Sequence, residues 1–255
     1  MPQQILPDVV DEARRLGDAA LERGVEARAI GGVAVGLHAE RGLPPALTRV
    51  YGDIDLVSAK RAGRNVARFL VEMGYVPNER FNKMNGSTRL VFYDNEHGRQ
   101  IDVFVGEFHM CHSVPVADRL HLDPRTVPLA ELLLTKLQVV HLNEKDLKDI
   151  WGIVVEHDVQ DHDDESVNAG FVARTLAADW GFWRTSRQTM DDARARLPGS
   201  GLDALQQELV ETRLARLWER VEAEPKSLRW RARARIGERT RWYEEPEEIA
   251  HASRT

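Results

Sequence analysis

Residues 48–57 read Thr-Arg-Val-Tyr-Gly-Asp-Ile-Asp-Leu-Val, and the two acids inside that run constrain the chain more than any other feature. The run alternates and is rich in β-branched residues, the pattern of a strand. On a strand, residues i and i+2 point to one face, about 6.6 Å apart along the chain. Asp53 and Asp55 therefore project together, while Ile54 and Leu56 face a core. Two carboxylates side by side repel unless a cation neutralises them. Oxygen-only ligands at short spacing suit Mg²⁺, which keeps several waters and takes further ligands from nucleotide phosphates. Two such ions, about 3.5–4 Å apart, can stabilise both the attacking and the leaving oxygen of a phosphoryl displacement.

Two further elements extend this constellation. Asp102 lies in the apolar run Arg99-Gln100-Ile101-Asp102-Val103-Phe104-Val105, where a lone buried acid is costly. If that strand pairs beside the Asp53 strand, Asp102 joins the two acids, as a metal ligand or as acceptor of a proton from an attacking hydroxyl. Ile30-Gly31-Gly32 ends a short apolar stretch and opens a helix. Glycines let a backbone approach a phosphate, and the helix N-terminus supplies free N–H donors. Each piece alone has a plainer reading: exposed acids at a strand end, an edge-strand acid facing water, a simple turn. Their order, glycine pair, then Asp-x-Asp about 20 residues on, then a later strand acid, is what points to chemistry.

The periodicity predicts a helix over 8–23, a strand over 27–30, a helix over 33–41, the strand over 48–57 and a helix over 61–73. Two strands follow at 88–93 and 100–105, joined by the turn Asp-Asn-Glu-His-Gly-Arg, and these elements predict a mixed sheet with helices packed on it. Helices are predicted at 129–142 and 144–157, a polar surface connection over Asp158–Ser166, and only helices from 166 onward. The fold expected is α+β: a mixed-sheet domain over 1–160 followed by a mostly helical region over 161–255.

With 255 residues, 42% of them hydrophobic, the chain can bury a substantial core. A net charge of -6 argues against a whole-surface nucleic-acid binder but leaves room for a local basic patch. A single cysteine, Cys111, excludes an intrachain disulfide and a cysteine-based zinc site. No apolar run approaches a membrane span, and the first residues carry acids rather than a basic leader, so a cytoplasmic protein without membrane partners is expected.

On Gly31-Gly32, Asp53, Asp55 and Asp102, the sequence resembles the nucleotidyltransferase superfamily typified by DNA polymerase β. Within it, the chain looks most like the small prokaryotic group containing the AbiEii-type toxins, and is also similar to the lincosamide and aminoglycoside nucleotidyltransferases. Leu134-Thr135-Lys136-Leu137 and Glu144-Lys145-Asp146-Leu147-Lys148-Asp149-Ile150 support the first comparison, and the likeness covers residues 27–155. The resemblance implies transfer of a nucleoside monophosphate from a triphosphate to a hydroxyl acceptor: an RNA, a protein or a small molecule. It implies Mg²⁺ or Mn²⁺ on Asp53, Asp55 and Asp102, with Gly31, Gly32 and Lys136 on the phosphates and Asp146 in a later motif. A non-catalytic nucleotide- or partner-binding module, of the toxin–antitoxin kind, is the alternative. Two departures stand out: many members carry serine after the first glycine where this chain has Gly32, and Arg49 lies four residues before Asp53.

The remaining clusters have plain readings. Lys136 on an apolar helical face fits a snorkelling lysine as well as a phosphate ligand. Lys148 sits four residues after Glu144, the spacing of a solvated pair. His109, Cys111 and His112 read as a loop, Asp161-His162-Asp163-Asp164 as a solvated turn, and Trp180 and Trp183 as core anchors. Residues 226–241 carry seven basic residues with Trp230 inside and Trp242 following, a composition that fits either a solvated helix or contact with single-stranded RNA. Glu244, Glu245, Glu247 and Glu248 follow immediately.

Overall fold

A computed structural model describes residues 4–39 and 41–245. Its first helix, α1 (Val9–Glu22), starts on Asp8, whose carboxylate accepts the amide N–H groups of Val10 and Asp11, satisfying donors the helix cannot. Strand β1 (Ala27–Ile30) runs directly into α2 (Gly31–His38). Next come β2 (Ile54–Ser58), α3 (Gly63–Glu72), β3 (Val76–Pro77), α4 (Glu79–Asn85), β4 (Arg89–Asp94) and β5 (Arg99–Val105). The strands form one mixed sheet in the order β1-β2-β5-β4-β3. β2 and β5 are parallel, and the other neighbours antiparallel. The β4–β5 turn is held by Asp94, which accepts N–H groups from Glu96 and His97 and pairs with Arg99 at 2.7 Å.

A small hairpin, β6 (Phe108–His109) and β7 (Ser113–Val114), leads to the helical half. That half contains α5 (Leu129–Leu137), α6 (Glu144–Glu156), α7 (Ala169–Ala178), α8 (Trp180–Arg196), α9 (Ala204–Ala223) and α10 (Leu228–Ile236). Between α6 and α7 lie β8 (Asp158–Gln160) and β9 (Ser166–Asn168), which pair in parallel. Helix α5 is the pivot. Leu132, Leu133, Leu134 and Leu137 are all buried, and the helix touches α2 on one side and α6, α7 and α8 on the others. One hydrophobic cluster accordingly runs from Ile5 to Val221 through both halves. The expected boundary between 160 and 161 falls in the link between the paired strands β8 and β9.

Several boundaries differ from those the periodicity predicts. The strand expected over 48–57 begins only at Ile54 and runs to Ser58; ahead of it Arg49 binds Asp149, and Asp53 lies outside the strand, so its direction is not set by the strand period as expected. The helix expected over 33–41 starts at Gly31 and ends at His38. The helix expected over 129–142 stops at Leu137, ahead of the β-branched pair Val139-Val140. The polar connection over 158–166 contains β8 and the first residue of β9, which runs on to Asn168, so the region from 166 onward is not purely helical. Asp161-His162-Asp163-Asp164 is also not merely solvated: Asp163 binds Arg119 at 2.5 Å and Asn168 at 3.0 Å. Among the described residues, no helix is long and apolar enough to cross a membrane.

Candidate functional site

The parallel pairing of β2 with β5 sets Asp55 directly beside Asp102 in register. On its other side Asp55 faces Ile30, the last residue of β1, so the glycine pair starts one step from the acids. Asp53 lies just ahead of β2 and is exposed, while Asp55 is half-buried and Asp102 is buried. All three acids line one cavity of about 1550 Å³ that opens between the sheet and helices α7 and α8. Burial pushes the Asp55 carboxyl up to about 7, helped by the charges of Asp53 and Asp102 and opposed by Lys136 and Arg89. Such mutual repulsion is what a bound cation relieves.

The glycine pair is required by contact as well as by conformation. Gly31 has φ +71°, and a side chain there would bring its Cβ to 2.5 Å from Asp55 Oδ2. A Cβ on Gly32 would collide with the Arg49 guanidinium. That guanidinium cannot swing away easily, because its Nε and Nη2 both donate to Asp149, each at 2.8 Å, and it stacks over Tyr51 at 4.5 Å. Asp149 is buried and also holds Lys136 Nζ at 2.8 Å; Asp146 stands 3.9 Å from the same Nζ. Asp146 closes the start of α6 as well, in a reciprocal cap with Asn143. Two cations and two acids thus form a nearly closed cluster behind the glycine turn. Lys136, Gly31 and Gly32 do not line the 1550 Å³ cavity, whereas the three strand acids do.

Asp102 is already engaged. Its Oδ1 accepts from Arg89 Nε at 2.9 Å and Nη2 at 2.8 Å, and its Oδ2 accepts from Gln100 at 2.7 Å. Among the described residues, no three His, Cys, Asp or Glu side chains are gathered as a ready metal cage. Sequence reasoning did not single out Arg89 or Gln100. Gln100 sits at i−2 from Asp102, so the period of a strand already puts both on one face. Arg89 needs the hairpin register, in which it pairs with Phe104.

Elsewhere the cavity wall is acidic. Besides the three strand acids it carries Glu107, Asp118, Asp179, Glu244 and Glu245, against the bases Lys60 and Arg89. Its apolar lining includes Phe81, Phe104, Phe108 and Phe182. His112 stacks on Phe182 with ring centroids 5.1 Å apart, bonds to Thr185 Oγ1 at 2.9 Å, and is driven down to about 4 chiefly by burial. His109 pairs with Glu244 at 2.9 Å. Cys111 is buried, and the three residues form no metal site with one another. Lys148 pairs with Glu144 at 3.3 Å. Trp180 is buried and Trp183 half-buried against Trp218 and Trp230. Glu247 and Glu248 lie outside the described residues.

Comparison with protein-family models, with curated proteins and with solved structures returns no match.

Proposed function

We propose that the chain is a metal-dependent nucleotidyltransferase. The observation that carries this reading is the cross-strand pair Asp55–Asp102, with Asp53 two residues upstream, on the wall of a single cavity beside a glycine turn. The donor set fits a hard divalent cation: all oxygens, with one carboxyl pushed up to about 7 by burial first and by the charges of Asp53 and Asp102 second. Asp53 and Asp55 would hold Mg²⁺ or Mn²⁺, with Asp102 beside them. The ion would supply charge neutralisation at the α-phosphate of a nucleoside triphosphate and at the departing pyrophosphate.

The protein's own part is positioning. N–H groups at the start of α2 have no side-chain cap, the feature a phosphate would use. Gly31 and Gly32 pack against Asp55 and Arg49 rather than on the cavity wall, so a phosphate reaching them would have to displace those side chains. An acceptor hydroxyl attacks the α-phosphorus, the bond to pyrophosphate breaks, and the hydroxyl proton passes to Asp102, held in place by Arg89 and Gln100. RNA, protein and small hydroxylated molecules are the acceptor classes this reading admits.

The test is incubation of the full chain with each triphosphate, labelled in parallel reactions at the α- or the γ-phosphate, Mg²⁺ and an acceptor panel, beside Asp53→Asn and Asp55→Asn. Label moved to an acceptor by the intact chain alone supports the reading. Transfer of γ-label instead would make the chain a phosphotransferase. A second reading, a nucleotide- or partner-binding module without catalysis, is favoured by the engagement of both Asp102 oxygens. Nucleotide binding without transfer across the whole panel would select it.

A further inference from the structure

Helix α10 has a composition that packing does not explain. None of its nine residues is buried, and Leu228 and Ile236 at its two ends are exposed. It carries Arg229, Arg231, Arg233 and Arg235, so two pairs of like charges repel across one turn, at 229/233 and 231/235. From Lys226 to Arg241 there are seven basic residues and one acid, Glu238, in a chain whose net charge is -6. Glu238 is taken by Arg184 at 2.6 Å. Arg233 is used structurally, stacked 4.7 Å over Trp180 and donating to the carbonyl oxygens of Gly237 and Thr240. Arg241 pairs with Glu245. The side chains of Arg229, Arg231, Arg235 and Arg239 make no ion pair or hydrogen bond among the described residues, and all four residues are exposed.

Beside this helix lies a cleft of about 630 Å³, within the size range of a ligand site. Trp180, Trp242 and Tyr243 line it together with Arg229, Arg233 and Arg241. The cleft shares His109, His112, Ser113, Ala178, Asp179 and Glu244 with the wall of the acid-bearing cavity, so the two adjoin. Positive charge on a helix and aromatic faces at its foot together match one ligand chemistry: a flexible polyanion carrying flat rings. We infer that α10 and the adjoining aromatic cleft bind a single-stranded nucleic acid, its phosphates on Arg229, Arg231, Arg235 and Arg239 and its bases against Trp242 and Tyr243. The acids of the large cavity repel phosphates, so the strand's backbone stays on the arginine side and only its end approaches the shared wall. Binding itself needs neither metal nor triphosphate and stands apart from the proposed transfer; only delivery of the strand's end as an acceptor rests on that reading.

The experiment uses the full chain, with EDTA and without triphosphate. Fluorescence anisotropy is followed for labelled RNA and DNA strands of about 20 nucleotides, single and duplex, and for anionic vesicles, between about 50 and 200 mM salt. The inference predicts binding of single strands that weakens steeply with salt. Replacing Arg229, Arg231, Arg235 and Arg239 together by glutamine should weaken it at least about ten-fold at low salt and flatten the log–log salt slope by roughly 0.7 per lost phosphate contact. Arg231→Glu with Arg235→Glu, changes on exposed side chains, should weaken it further with the circular dichroism spectrum unchanged. Tyr243→Ala should lower affinity about five-fold or more through lost stacking. Comparison of the RNA and DNA arms assigns the sugar. No binding at low salt, equal binding by the arginine variants, or a preference for duplex or vesicles overturns the inference. Because no arm measures transfer, a failure here leaves the nucleotidyltransferase reading standing, and a failure of transfer leaves this one standing.

Discussion

At the scale of single residues, the acids of the sheet and the glycines beside them make opposite demands. Burial, and after it the charges of Asp53 and Asp102, disfavour the ionised Asp55, so Asp55→Asn should raise the stability of the metal-free protein by about 1 kcal/mol while removing transfer. Thermal melting with EDTA, read beside the transfer assay, checks both halves. Gly31→Ala should act the other way. A positive φ and a 2.5 Å approach to Asp55 should together destabilise by about 1–3 kcal/mol in chemical denaturation. His112 provides a pH signature. Folding depresses its value from 6.5 to about 4, so the stability it contributes is present above about 6.5 and is lost as the pH falls towards 4. The loss amounts to about 3 kcal/mol. In His112→Gln the difference from the parent, measured by denaturation across that window, should follow this curve.

Among the elements, the junction of α2, α5 and α6 is held by charge as much as by apolar packing. Asp149 is the buried anion shared by Arg49 and Lys136, which lie about 100 and 13 residues away in sequence. Asp149→Asn would leave two cations poorly matched and should destabilise by about 3 kcal/mol or more in urea denaturation. The same cluster shows where sequence reading stops. The strand through Asp55 and the glycine turn ahead of α2 were legible because their signals are local, whereas Asp53 falls just ahead of β2, where the period of a strand no longer fixes its direction. The pairing of β2 with β5 could be stated only as a condition, since register between distant strands is a tertiary property. The partner of Arg49 was invisible for the same reason. Two-residue strands such as β3, β6 and β7 leave no periodic trace, and α4, seven residues long, is too short for its pattern to stand out. Arg89 was within reach: the β4–β5 turn pairs Asp94 with Arg99, and counting back along both strands brings Arg89 to the edge of the Asp102 site.

Over the whole molecule, an α+β sheet and a helical half share one hydrophobic cluster, and a cavity of about 1550 Å³ opens where they meet. A ligand held there touches both halves and should stabilise them as a unit. A triphosphate with Mg²⁺ at about 100 times its dissociation constant should contribute about 2.7 kcal/mol, seen as a rise in melting temperature that Asp53→Asn abolishes. The α+β class and the helical C-terminal region were legible from periodicity; the acid-lined cavity between them was not, because it is made of residues from separate stretches of chain, 53–60, 81–89, 100–118, 175–182 and 244–245. The most direct measurement is a crystal grown with Mn²⁺ and a non-hydrolysable nucleoside triphosphate, read by anomalous scattering. The account predicts a manganese peak touching carboxylate oxygens of Asp53 and Asp55 and a phosphate oxygen. A nucleotide bound elsewhere, or at this cavity with no manganese on those two acids, would contradict it.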